Sequence, residues 1–269
     1  MKNFLKKVTP KKIRGFILSQ RYGWFGPYQN WSEVALKSTG YNDKLILSRV
    51  KNALLKVTTG EATYERDSVL FYKKEPRWPL LANLLFVAGQ NSQRLNLIDF
   101  GGSLGSIYFQ HLPFIKHLLS IHWNVVEQPN FVKCGQENFS NKQLNFYKNI
   151  SDCIKKTNPT TIVFSSSLQY IEKPYDILTE VLSKNLEFII FDRTSVTKRN
   201  KDFITLQKVP PQIYSASYPC WFFSEQKLLD FLAPRYELII DFETPERKIA
   251  RHNFRGEFKG YLFKLKKHV

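Results

Sequence analysis

The chain is predicted to fold as an α/β protein, a doubly wound parallel sheet preceded by a mostly helical N-terminal extension. Three observations predict it. From residue 95 onward, short apolar runs alternate with stretches of helical periodicity, the pattern of repeated β-α units. The runs Thr161-Ile162-Val163-Phe164 and Phe188-Ile189-Ile190-Phe191 are apolar throughout, which suits central strands covered on both faces. The first run ends near Asp99 and passes directly into a glycine-rich turn, Gly101-Gly102-Ser103-Leu104-Gly105. A length of 269 residues with 43% hydrophobic content is enough to bury one full core.

In chain order, residues 1–20 hold Lys2, Lys6, Lys7, Lys11, Lys12 and Arg14 around Pro10, read as a solvated basic arm. The stretch Tyr22-Gly23-Trp24-Phe25-Gly26-Pro27-Tyr28-Gln29-Asn30-Trp31 is expected to be an ordered loop, since its Gly and Pro residues forbid a long helix or a central strand. A helix is expected to start at 32–36. A second covers 43–57, where Leu45, Ile46, Val50, Ala53, Leu54 and Val57 recur at helical spacing. The apolar segment 78–89 is read as a buried helix, too short for a bilayer that needs about 20 apolar residues.

Strands are predicted at 95–100, 122–127, 144–147, 161–165, 188–192, 236–242 and 260–264, with helices between them that include 175–182 and 224–232, the latter capped by Ser224. Five β-α units followed by two closing strands make a seven-stranded doubly wound sheet. Residues 1–90 are thus expected to form a helical region or lid with its basic arm, and residues 91–269 the sheet domain. Neither a signal peptide nor a membrane span is expected, which points to the cytoplasm.

The formal charge of +17 attracts phosphates, nucleic acid or anionic lipid headgroups without choosing among them. A composition rich in Lys, Asn, Ile and Phe accounts for it equally well with no partner behind it. Cys134, Cys153 and Cys220 are widely spaced and outside any Cys-x-x-Cys pair, so reduced thiols are expected and no metal site.

The glycine turn follows an apolar strand that ends in an acid and precedes a helix start at Ser106. Glycines permit positive φ and close backbone approach, and the N–H groups at a helix N-terminus can bind a carboxylate. Glu127 follows the next apolar run, and in an open α/β sheet the C-terminal ends of adjacent strands face one crevice, where an acid can accept both ribose hydroxyls of a nucleoside. The nicotinamide pattern Gly-x-Gly-x-x-Gly is not met, because its third glycine falls on Ser106.

This arrangement resembles the class I methyltransferase fold, whose first strand leads into Asp-x-Gly-x-Gly-x-Gly. Asp99, Gly101 and Gly105 match, and Ser103 departs from the pattern. The resemblance implies a Rossmann-like sheet of seven strands and S-adenosylmethionine as cofactor. Asp99, Gly101, Gly102, Ser103, Gly105 and Glu127 are expected to bind it, together with Gln128 and Ser165. Further segments extend the likeness across about residues 24–264: Phe25-Gly26-Pro27-Tyr28 with Trp31, Ser38-Thr39-Gly40-Tyr41, Tyr64-Glu65-Arg66-Asp67-Ser68, Ser165-Ser166-Ser167-Leu168-Gln169-Tyr170 and Ser217-Tyr218-Pro219. Together they look like a family of methyltransferases associated with bacterial capsule and surface-polysaccharide genes. That resemblance implies an acceptor in such a pathway, a sugar or a nucleotide-activated fragment, with a capsule phosphoramidate as one candidate.

Methyl transfer from a sulfonium is an in-line displacement in which alignment alone is worth up to roughly 7–11 kcal/mol. A general base, contributing about 10²–10⁴-fold, is expected for a sugar hydroxyl and not for an ionised phosphate-type oxygen. Asp192, at the end of a predicted strand, and Tyr170, after the fourth strand, are the catalytic candidates. His111 and His117 are read as surface residues, and His122 and His252 carry no assigned role. Arg66 and Arg193 are expected to hold an anion, since guanidinium binds phosphate oxygens bidentately, with Tyr28, Trp31 and Tyr64 alongside them as acceptor-binding residues. The expected partner is an anionic small molecule or nucleotide-linked sugar. Two rivals stand beside this reading, an RNA methyltransferase and a silent cofactor-binding protein; nucleic acid is disfavoured because the basic residues are dispersed after the arm.

Overall fold

The computed structural model describes residues 21–40, 43–211, 213–246, 248–251 and 253–267; the basic arm, Tyr41 and His252 lie outside the described residues. The chain begins with β1 (Gly23–Tyr28), α1 (Trp31–Lys37), α2 (Asp43–Thr58) and a hairpin of β2 (Tyr64–Arg66) and β3 (Val69–Phe71), followed by α3 (Trp78–Gln90). The sheet domain opens with β4 (Arg94–Phe100), α4 (Ser106–Ile115), β5 (Ser120–Val126), α5 (Pro129–Asn138), β6 (Leu144–Tyr147), α6 (Ile150–Thr157) and β7 (Thr161–Ser165). After a 3-10 turn (Leu168–Tyr170) come α7 (Pro174–Ser183), β8 (Phe188–Thr197), β9 (Phe203–Lys208), β10 (Ser217–Ser224), α8 (Glu225–Leu232), β11 (Tyr236–Glu243), β12 (Ile249–Ala250) and β13 (Arg255–Leu265).

The seven predicted strands lie side by side as β6-β5-β4-β7-β8-β13-β11, parallel except for β13, which runs antiparallel between β8 and β11. Helices cover both faces. One layer gathers Ile46, Leu54, Leu80, Leu84, Tyr108 and Phe131 from α2–α5. The other gathers Ile150, Cys153, Leu178, Val181, Leu228 and Leu232 from α6–α8. The segment read as a buried helix is α3, yet Trp78 is 64% exposed, so only its other face enters the core. Cys134, Cys153 and Cys220 are buried free thiols. Among the described residues no helix is long and apolar enough to cross a membrane.

The sheet is larger than predicted, with eleven strands among the described residues. β8 runs past Asp192 to Thr197, and beyond its pairing with β7 it takes up β10 in parallel. From β10 an antiparallel branch continues through β9 to β1. The aromatic stretch expected as a loop is therefore an edge strand. It pairs on one side only, with its register shifting between Phe25 and Tyr28 around Pro27, where a central strand could not tolerate the missing N–H. Val34 of α1 packs on Ile204 and Leu206 of β9, so the N-terminal region is joined to the sheet across the boundary expected at residue 90.

Candidate cofactor and acceptor site

A cavity of about 1480 Å³ opens at the C-terminal ends of β4, β5 and β7 and beside the middle of β8, where Gly101, Glu127, Ser165 and Arg193 line its floor. The N-terminal region supplies its other wall, through Trp31, Ile46, Val50, Glu65 and Arg66. Gly101, Ser103 and Gly105 have φ of +70°, +56° and +91°. A Cβ on Gly101 would stand 2.6 Å from the Ser167 Cβ, one on Gly102 2.4 Å from an Asp99 carboxylate oxygen, and one on Gly105 3.0 Å from Leu144. The glycines are thus required by backbone angle or by space, and Ser103 is the one residue with a side chain held in the left-handed region of this turn. The turn ends at the first turn of α4, whose Ser106 and Ile107 also line the cavity.

Asp99 lies beneath the turn and does not line the cavity. It is 1% exposed, its Oδ2 accepts a hydrogen bond from the Trp123 indole at 2.9 Å, and its Oδ1 has no partner. Burial pushes its carboxyl up to about 7, against the opposing bond from Trp123. Glu127 and Gln128, by contrast, both face the cavity at the end of β5, and a Glu127 carboxylate oxygen accepts from the Gln128 N–H at 2.6 Å. Ser165 lines the cavity while donating its hydroxyl to Asp192 at 2.6 Å.

Asp192, expected as a catalytic acid or base, does not line the cavity. At 1% exposed, it accepts from Ser165 on one oxygen and from Arg77 Nη2 at 3.0 Å on the other. Each carboxylate oxygen accepts from a neighbour and the group is shut off from the cavity, so its contacts are those of a residue that positions Arg77 and Ser165. Arg77 also reaches Glu246 at 3.3 Å, and its backbone N–H donates to His111 Nε2 at 3.2 Å. His111, expected at the surface, is fully buried; its Nδ1 donates to the Ile107 carbonyl at 2.8 Å, which fixes a neutral ring, and burial lowers its pKa. His117 and His122 are exposed.

Strand order, covered faces and the glycine turn at the end of β4 agree. The fold is Rossmann-like, of the class I methyltransferase type. No family model matches the chain, and no curated protein matches it in sequence. It is similar in shape to a S-adenosylmethionine-dependent methyltransferase from Clostridium acetobutylicum ATCC 824, at 11% identity and a TM-score of 0.46, covering 81% of this chain and 98% of that one. It is also similar to the N-terminal domain of EvdMO1 solved with SAH and D-fucose, at 10% identity and TM-score 0.48, covering 84% and 98% of the two chains. Magnesium protoporphyrin IX methyltransferase from Synechocystis PCC 6803, solved with SAM, is a third, at 12% identity and TM-score 0.44, covering 85% and 99%.

The far end of the cavity is built from the antiparallel branch. Tyr170 lines it and donates to Gln207 Oε1 of β9 at 2.9 Å, packing edge-to-face on Tyr218 of β10 with centroids 5.2 Å apart. The Tyr218 hydroxyl lies 3.2 Å from that of Tyr214. Burial pushes Tyr214 up to about 12 and raises Tyr170 and Tyr218 as well, so these phenols stay neutral hydrogen-bonding groups.

Arg66 and Arg193 both face this end, and the Nε of each is buried without a hydrogen-bond partner. Arg193, at φ +53° in β8, stays 3.8 Å from both Asp192 and Glu246, too far for a hydrogen bond. Of the other acceptor-side candidates, Trp31 lines the cavity and stacks on Trp221. Tyr28 and Tyr64 do not line it: Lys37 lies over the Tyr28 ring, and Tyr64 is buried in a stack on Phe71. Arg77, Glu65, Gln207, Tyr214 and Tyr218 were not singled out from sequence. Glu65 and Tyr218 fall in family-like segments and Tyr214 just before one, whereas Arg77 and Gln207 carried no local signal.

Proposed function

We propose that this protein is an S-adenosylmethionine-dependent methyltransferase acting on an anionic small molecule or nucleotide-activated sugar of surface-polysaccharide assembly, with a phosphoramidate among the candidate acceptors. The observation that carries the cofactor is the turn at 101–105, where Cβ atoms at Gly101 and Gly102 would collide with their neighbours while Glu127 stands at the end of the adjacent strand. The residues fit such a group. The first turn of α4 offers backbone N–H groups for a carboxylate, and Glu127 offers oxygens for a ribose diol. When bound, the cofactor supplies an electrophilic methyl group on a sulfonium.

The chain's part is then to hold and align the acceptor. Arg66 and Arg193 both line the cavity, which favours an anion, and neutral tyrosines with Gln207 can orient its oxygens. The carboxylates that line the cavity among the described residues are Glu65, Asp67 and Glu127, and Asp192 is held by Arg77. A base at the acceptor end would therefore have to be Asp67, at the tip of the β2–β3 hairpin, which favours an acceptor oxygen already ionised. Calorimetric titration with S-adenosylmethionine and with a dinucleotide tests the cofactor. Glu127→Ala is expected to weaken S-adenosylmethionine binding by about 1–3 kcal/mol. Unchanged affinity would take Glu127 out of the site.

A further inference from the structure

Glu65 is the buried acid that this reading leaves without a task. It belongs to β2, is 1% exposed, and forms part of the cavity wall together with Ser106, to which it is hydrogen-bonded. One carboxylate oxygen accepts from the Ser68 N–H at 2.9 Å, and the other from the hydroxyl of Ser106, the first residue of α4. Both of these hydrogen bonds come from neutral donors, and of the charged neighbours Asp67 opposes its ionisation while Arg66 favours it. An ionised carboxylate in such a place is costly unless a cation joins it.

The other acids near the turn are otherwise engaged. Asp99 lies under Gly102, Asp192 is paired with Arg77, and Glu127 stands across the turn at the end of β5. In an α-amino acid the ammonium and the carboxylate leave one carbon, so a ligand whose carboxylate meets the first turn of α4 brings its ammonium within a few ångströms of Ser106. Glu65 is the carboxylate bonded to Ser106.

We propose that Glu65 receives the α-ammonium group of the cofactor's methionine moiety, so that the β2–β3 hairpin and the glycine turn together read the amino-acid end of the ligand. The proposal rests on the cofactor reading above. Burial holds the Glu65 carboxyl up at about 7, and an incoming ammonium supplies the positive charge that keeps it ionised.

The test uses full-length protein and calorimetric titration with S-adenosylhomocysteine and with its analogue in which hydrogen replaces the α-amino group. Wild type is expected to bind the deaminated analogue at least about tenfold more weakly. Glu65→Gln is expected to lose about 10–100-fold in affinity for S-adenosylhomocysteine and to change its affinity for the deaminated analogue by less than about threefold. Its melting temperature, at or above that of wild type, checks that the fold is intact. Equal binding of both ligands by wild type overturns the proposal without any variant. So does a Glu65→Gln protein that keeps its preference, or one that loses both ligands equally. Failure of wild type to bind S-adenosylhomocysteine at all is a separate outcome, which removes the cofactor reading and this inference together.

Discussion

Ser103 departs from the glycine pattern, and the structure gives the departure a backbone cost: a side-chain-bearing residue at φ +56°. Left-handed conformation costs such a residue roughly 1–2 kcal/mol, which glycine avoids while losing some of the gain to unfolded-state entropy. Ser103→Gly is expected to raise stability by about 1 kcal/mol and to retain or improve cofactor affinity; loss of binding in a folded variant would reveal a role for the hydroxyl. Asp99 makes a pH-dependent prediction. Its folded carboxyl titrates at about 7 against an ordinary 3.8, so the folded state holds the extra proton between those values. Stability from this group is therefore full below pH 4 and lost as pH rises through 7. Asp99→Asn, which keeps an acceptor for Trp123, is expected to raise the melting temperature at pH 8 and much less at pH 5, by at most roughly 4 kcal/mol in stability. An equal shift at both values would mean that the carboxyl is not held protonated. His111 runs the other way, since its lowered pKa weakens the fold as pH falls through 6.5.

At the scale of elements, strands buried on both faces were legible because continuous apolar runs have few other homes. β6 and β7 have the predicted bounds, and β4 and β5 differ from theirs by one or two residues at their ends. The branch was not legible for physical reasons. β1 carries Gly23, Gly26 and Pro27, β10 carries Pro219, and the apolar run of β9, Phe203-Ile204-Thr205-Leu206, is only four residues long and leads within a few residues into Pro210-Pro211. The glycine turn and Glu127 were readable from local spacing, whereas Arg77 meets Asp192 only once α3 is laid across the sheet, 115 residues apart in the chain. This pair ties the start of α3 to β8. Arg77→Ala leaves Asp192 buried without its cation and is expected to destabilise by about 3–5 kcal/mol in denaturant unfolding. Asp192→Asn is expected to lower kcat by less than about tenfold and to leave its pH profile in place, whereas loss of a general base costs about 10²–10⁴-fold.

At the scale of the whole molecule, the charge of +17 becomes functional only if it concentrates an anion where Arg66 and Arg193 can grip it. Arg66→Ala and Arg193→Ala are expected chiefly to raise KM where they hold the ground state, and to lower kcat where they align the attacking oxygen. Added salt is expected to reduce kcat/KM in wild type. A neutral acceptor turned over equally well, with rates indifferent to salt and to both arginines, would return the charge to composition. The pairing of β1 with β9 has a consequence for how the protein is born. Gly23 sits opposite Lys208, so on the ribosome the first strand waits for about 180 more residues before its partner exists. At ordinary elongation rates that is roughly 10–40 s, during which β4 to β8 and their glycine turn are already made. The glycine turn can thus be in place before the far end of the cavity is complete, and a nascent chain stalled ahead of β9 has the turn and both arginines but lacks Gln207, Tyr214 and Tyr218.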